Sequence, residues 1–226
     1  MVITLGNIVF GGKGNGGSST ASAYVVPDGM NFGYTSLTEF PFDDFDFSQK
    51  TNFYRCWHSC SSLTEFPQIN ISKGTIFSYA WYYCSSLKSF PQLDLSGGTD
   101  FNYAWAYCQS LTEFPAVNLS NGTGFERAWY NCYSLASLPA LNLSNGTNFN
   151  RAWYGCQSLT TLGGFGPIKE SIDLSTSTLL TAESLMNVIT QAATVTGKTM
   201  KFGSDNLAKL TDAQKAVATS KGWTLA

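Results

Sequence analysis

Between Phe53 and Leu159 the apolar positions recur on one step. Phe53, Trp57, Cys60 and Leu63 return as Phe77, Trp81, Cys84 and Leu87, and so on to Phe149, Trp153, Cys156 and Leu159; each mark advances by 24 residues. Self-similarity at a period of about 20 to 50 residues signals stacked units that bury their apolar side against their neighbours. Two spacings alternate inside a unit. Phe77, Trp81 and Cys84 stand at 0, +4 and +7, one face of a two-turn helix. Ile69 and Ile71 flank Asn70, a short strand with its apolar side inward. Asn121-Gly122-Thr123 and Asn145-Gly146-Thr147 supply the turn into the helix, where Gly takes a positive φ, and Pro67, Pro91, Pro115 and Pro139 keep the helix out of the strand. Parallel strands stack about 4.8 Å apart and helices about 8 to 10 Å apart. The pattern therefore predicts an α/β solenoid of strand-turn-helix units curved into a horseshoe, with strands on the concave face.

The ends depart from the rhythm. Residues 1–24 combine a weakly alternating start with the Gly/Ser/Thr tract Gly11 to Ser22, which reads either as an attachment strand on a flexible connector or as a frayed terminus. The repeated body spans 25–162. Asp28-Gly29-Met30-Asn31-Phe32 parallels Asn145 to Phe149, but Leu37 follows Phe32 by five positions, so this unit is truncated and reads as an N-terminal cap. Leu37 to Leu63 spans 26 residues, an insertion placed beside Pro41. Residues 163–226 hold longer units: a strand at Ile172 to Ser175, a helix N-capped by Thr181, a strand from Thr199, and a helix opened by a Thr211–Gln214 capping box and closed by Gly222. Trp223 to Leu225 forms a last strand.

Composition narrows the partners. Charged residues make up 12% and the net charge is −2, while aromatics reach 15%, so the surface is built from Asn, Ser, Thr, Gln, Gly and Tyr. Arg55, Arg127 and Arg151 are too few for a nucleic-acid stripe, and no apolar run reaches a membrane span. Met1 to Phe10 lacks the positive start of a secretory signal. The chain is expected to stay in the producing cell, to leave by lysis, or to have lost a signal.

Chemistry-bearing residues are sparse. Cys60, Cys84, Cys108, Cys132 and Cys156 form an even ladder, unlike a disulfide framework or a converging metal site, and read as small hydrophobes; Cys56 takes the place of Ala80, Ala104, Ala128 and Ala152. His58 has no recurrent carboxylate or nucleophile beside it, and Glu65 and Glu113 have no paired acid. No catalytic residue, metal site or cofactor is expected. Asn70, Asp94, Asn118, Asn142 and Asp173 are the outward strand positions, a polar ladder that bonds to itself or to a ligand. The candidate binding surface is aromatic. Tyr79, Tyr82, Tyr103, Tyr107, Tyr130 and Tyr154, with Arg127 and Arg151, fall between the buried marks and form either a contact stripe or an inter-unit stack.

The phrase Ala80-Trp81-x-x-Cys84-x-x-Leu87 and the tail from Leu207 to Leu225 resemble the BspA-type leucine-rich repeats of bacterial surface and phage proteins, with Trp where that family has Phe. The resemblance covers roughly 25–226. It implies a leucine-rich-repeat-like horseshoe and a non-enzymatic recognition or structural module. A bacteriophage virion protein is expected, first a tail fibre or adhesin, with a bacterial cell-surface or secreted adhesin and a phage head fibre or decoration protein as alternatives. A depolymerase would need a cluster of acids at one end. Expected partners are other virion proteins through residues 1–24, a host surface protein or glycan, and further copies of the chain; nucleic acid and membrane insertion are not expected.

Overall fold

The computed structural model describes residues 2–5, 8–11, 23–34, 38 and 44–226. Val2–Leu5 (β1) and Ile8–Gly11 (β2) pair antiparallel, so the start folds on itself instead of offering a single strand. Tyr24–Val25 (β3) runs parallel to Phe45–Asp46 (β4). The connector at 12–22 and the insertion beside Pro41 lie outside the described residues.

From Thr51 to Leu162 the chain adds one layer every 24 residues. Adjacent layers touch at two columns of single parallel bridges. One runs through Asn52, Ile76, Asp100, Gly124 and Asn148; the other runs through Glu65, Ser89, Glu113 and Ser137. The second column widens into Ser137–Leu138 (β5) paired with Thr161–Leu162 (β6).

The expected α/β solenoid of leucine-rich-repeat-like, strand-turn-helix units is corrected here, because these layers contain no helix. Phe77, Ala80, Trp81 and Cys84 are buried on one side as a helix would place them, yet Tyr79 (φ 58°) and Tyr83 (φ 62°) are left-handed, and the equivalent residues of every layer repeat this. The amides divide between two uses. Ala80, Tyr82 and Cys84 donate back three residues to Phe77, Tyr79 and Trp81, whereas Phe77, Tyr79, Trp81 and Tyr83 donate forward to Asp100, Asn102, Ala104 and Ala106. An α-helix would spend all of these internally.

Thickness explains the choice. Phe rings of successive layers stand 5.1–5.6 Å apart and Trp rings 5.3–5.9 Å apart. Packed helices need about 8 to 10 Å, so a layer this thin admits only turns. The predicted strand at 69–71 does not form either; these residues lead irregularly into the turn at Ser72, whose amide donates to Asn70 Oδ1 at 3.2 Å. With both sides equally thin, the reason for a horseshoe disappears.

Every layer fills its interior with the repeated marks, all buried. The glycine of the Asn-Gly-Thr turn serves this packing. Gly122 and Gly146 are absent from the positive-φ positions, contrary to expectation; a Cβ there would run into the rings of Phe125 and Phe149. In the first layer Phe32 stands in a Trp slot. Its carbonyl accepts the Cys60 thiol, as the Trp57 carbonyl accepts that of Cys84. What this layer lacks is therefore the stretch preceding the Trp. Lys50 seals that end, fully buried, with Nζ donating to the carbonyls of Pro27, Asp28 and Met30 at 2.8–3.0 Å.

After Leu162 the architecture changes. Ile172–Asp173 (β7), Lys198–Lys201 (β8) and Trp223–Leu225 (β9) form a parallel sheet in that order. Ala182–Gln191 (α1) connects β7 to β8, and Ser204–Leu207 (α2) and Asp212–Ser220 (α3) lead to β9. Thr181 caps α1 by accepting from the Ser184 amide, Thr211 and Gln214 make the capping box, and Gly222 (φ 83°) follows α3. α2 had no counterpart in the sequence reading. Among the described residues no helix is long and apolar enough to cross a membrane.

Candidate functional site

The left-handed turn carries the candidate surface. Alternating backbone handedness turns the second, fifth and sixth residues after the Phe outward, with the small Ala106 and Gly155 covered by their neighbours, while the third, fourth and seventh point inward. The eight candidates come together in one band. Tyr79 stacks on Tyr103 at 4.5 Å, and the Arg127 guanidinium lies over Tyr103 at 5.2 Å and over Tyr130 at 5.8 Å. Tyr130 stacks on Tyr154 at 5.4 Å, with Arg151 over Tyr154 at 5.9 Å. Tyr82 meets Tyr79 and Tyr107, each at 5.4 Å, and Tyr107 meets Tyr130 at the same distance.

The band is thus a stack and a surface at once. Ring faces are used between layers; rims and hydroxyls remain at the surface, with Tyr154 43% exposed and the other tyrosines of the eight half-buried. Desolvation raises the Tyr79, Tyr82 and Tyr107 hydroxyls above the usual phenol range. Arg127 is pinned by Glu126 at 2.9 Å and by the Tyr103 hydroxyl. Arg55 lies over both Tyr54 and Tyr79 at 5.2 Å and extends the band by a layer; exposed Tyr83 packs on Tyr107. Tyr54 and Glu126 escaped the sequence reading because they stand one position after Phe, where other layers carry Ser78, Asn102 and Asn150.

Other candidates are committed to structure. All six cysteines are free and buried. Four of the ladder thiols donate to a Trp carbonyl one layer back at 3.1–3.2 Å. Burial pushes the Cys108 and Cys156 thiols up to about 12 and that of Cys132 well above the usual range. His58 sits edge-on to Tyr34 at 4.3 Å, and burial and then Arg55 lower its pKa. Glu65 and Glu113 occupy one bridge column with Ser89 between them. The expected polar ladder is absent. Asn70, Asp94, Asn118, Asn142 and Asp173 each accept from the serine amide two residues on, a bond made within the layer, and Asp173 alone of the five also holds a lysine, Lys201 on β8.

Beyond Arg151 and Tyr154 the band opens on a cleft of about 610 Å³ between the last layer and β7. No family model matches the chain, and no curated protein or solved structure is significantly similar to it.

Proposed function

We propose that this chain is a non-enzymatic recognition module whose Tyr/Arg band contacts a macromolecular surface. The observation that carries this reading is the continuity of the band. Rings held at 4.5–5.4 Å by the layers beneath them lose little freedom on binding. A low-charge surface repeated at each layer suits multivalent attachment. Burial of the thiols and the local pairing of the Asn and Asp side chains support a structural use of the chemically capable groups. The resemblance of the repeated phrase to phage and bacterial-surface repeats supports a virion setting, with host attachment as the role and residues 1–24 as the mooring to the particle.

The test is adsorption of labelled protein to bacterial cells. A Tyr82→Phe/Tyr130→Phe/Tyr154→Phe variant, which keeps the stacked rings and removes the hydroxyls, should lose adsorption at nearly unchanged Tm. Equal adsorption sinks the reading, as does a fall in Tm that accounts for the loss.

A further inference from the structure

The stack ends on an unfinished edge. In each earlier layer the amide of the Phe and that of the second residue after it donate to the following layer; Phe125 and Arg127 donate to the carbonyls of Asn148 and Asn150, both at 2.9 Å. Arg151 (φ 54°) has the conformation of Arg127 (φ 51°), yet the amides of Phe149 and Arg151 meet no acceptor among the described residues. Both residues line the 610 Å³ cleft. Its opposite wall is Glu170 and Ser171 with Ile172 and Asp173 of β7 and Thr199 and Lys201 of β8, and β7, first strand of its sheet, has no strand partner besides β8 among the described residues. A row of donors therefore faces a free strand edge across a gap.

The gap has a physical origin. The amides of Leu141 and Leu143 find their next layer early, at the Gly164 and Phe165 carbonyls, and Phe165 stacks on Trp153 at 4.4 Å. The inner side of the following layer is thus filled by the 163–167 loop. The outer side is taken up only at β7.

We propose that this cleft takes an extended polypeptide segment, laid parallel to β7, whose backbone carbonyls accept from Phe149 and Arg151. The earlier layers supply the template: each such amide pair is met by two carbonyls, two residues apart, on a parallel neighbour. This is strand addition, in which main-chain bonds give affinity and the rim gives selectivity. On the rim Lys201 is held by Asp173 at 3.1 Å and Lys198 by Glu170 at 2.5 Å, whereas Arg151 has no carboxylate among the described residues. The segment accordingly carries an acidic side chain opposite Arg151. The volume falls within the roughly 300 to 1,000 Å³ of ligand pockets and fits a short segment. The proposal is independent of the aromatic band: Arg151 and Tyr154 border both, but the Phe149 amide and the β7 edge belong to the cleft alone.

Hydrogen exchange on the full chain tests it. In the free protein the Phe149 and Arg151 amides should exchange about a hundredfold or more faster than those of Phe125 and Arg127. Peptides enriched from a displayed random heptapeptide library should then slow both amides, carry Asp or Glu, and bind about tenfold or more weaker to Arg151→Glu. The same peptides should bind Tyr82→Ala/Tyr130→Ala unchanged, which separates a failure here from a failure of the band. Protection of the two amides in the free chain overturns the proposal. So does a library without enrichment, enriched peptides that leave the amides unprotected, or protection by a panel of oligosaccharides but not by peptides.

Discussion

The stack of 51–162 and the region 163–226 solve one problem in two ways. Both place parallel contacts along one axis. The stack keeps every layer about 5 Å thick, dispenses with helices, and sends half of its turn amides to the next layer. The C-terminal region keeps its helices, with amides satisfied inside α1 and α3, and it holds only three strands. Thin layers propagate, because each offers its successor the same row of donors. Thick layers close the array. The cleft lies at their junction, where a thin layer meets one that is not.

The largest break in this comparison is expected from Trp105→Ala. Trp105 stacks between Trp81 and Trp129 and is fully buried, so truncation should cost about 3 to 5 kcal/mol in denaturant unfolding. Lys50→Met comes next. It removes a charged donor from three carbonyls at the open end of the stack, of which Pro27 keeps the Met30 amide, and should cost about 3 kcal/mol, while Lys73→Met, exposed, should be close to neutral. Gly122→Ala should cost about 1 to 3 kcal/mol, by overpacking against Phe125 and not by backbone strain. A Gly122→Ala/Phe125→Leu double variant that recovers none of this would refute that cause.

A finer contrast uses tryptophan in both regions. The indole N–H groups of Trp57, Trp81, Trp105, Trp129 and Trp153 have no hydrogen-bond partner among the described residues, whereas Trp223 Nε1 donates to the Ala193 carbonyl at 2.8 Å. Trp223→Phe should therefore cost about 1 kcal/mol more than Trp105→Phe, because only it leaves a carbonyl unpaired. The smallest effect expected is a pH dependence at the N-terminal end. The Asp28 carboxylate accepts from the amides of Asn52 and Thr51 and from the Thr51 hydroxyl, and these bonds hold its pKa below the usual value of 3.8. Its contribution is complete above about pH 4 and is lost as pH falls through the lowered folded value. Acid titration of Tm should be flatter in Asp28→Asn.

The period, the buried marks, the free thiols and the C-terminal caps were all legible in the sequence. Side-chain spacing carries such information. Backbone handedness was not legible, since burial at 0, +3, +4 and +7 suits both an α-helix and a chain of left-handed turns. Asn131 and Gly155, at a position held elsewhere by Ser59, Tyr83 and Tyr107, were the one local hint, being residues that tolerate positive φ. The layer thickness was the stronger constraint, and it required knowing that rings stack directly on rings. The tyrosines of the band were found from their place between the marks. The cleft was not, because it depends on two unpaired amides that leave no trace in residue identity.

The forward-donating amides also give the stack a grammar of editing. Every layer receives on one side and donates on the other in the same direction, so a copy can be removed or duplicated whole but never reversed. A chain lacking residues 101–124 joins Asp100 to Phe125 with each mark still in step. Recombination between the near-identical copies would thus lengthen or shorten the displayed band one rung at a time, leaving both ends intact.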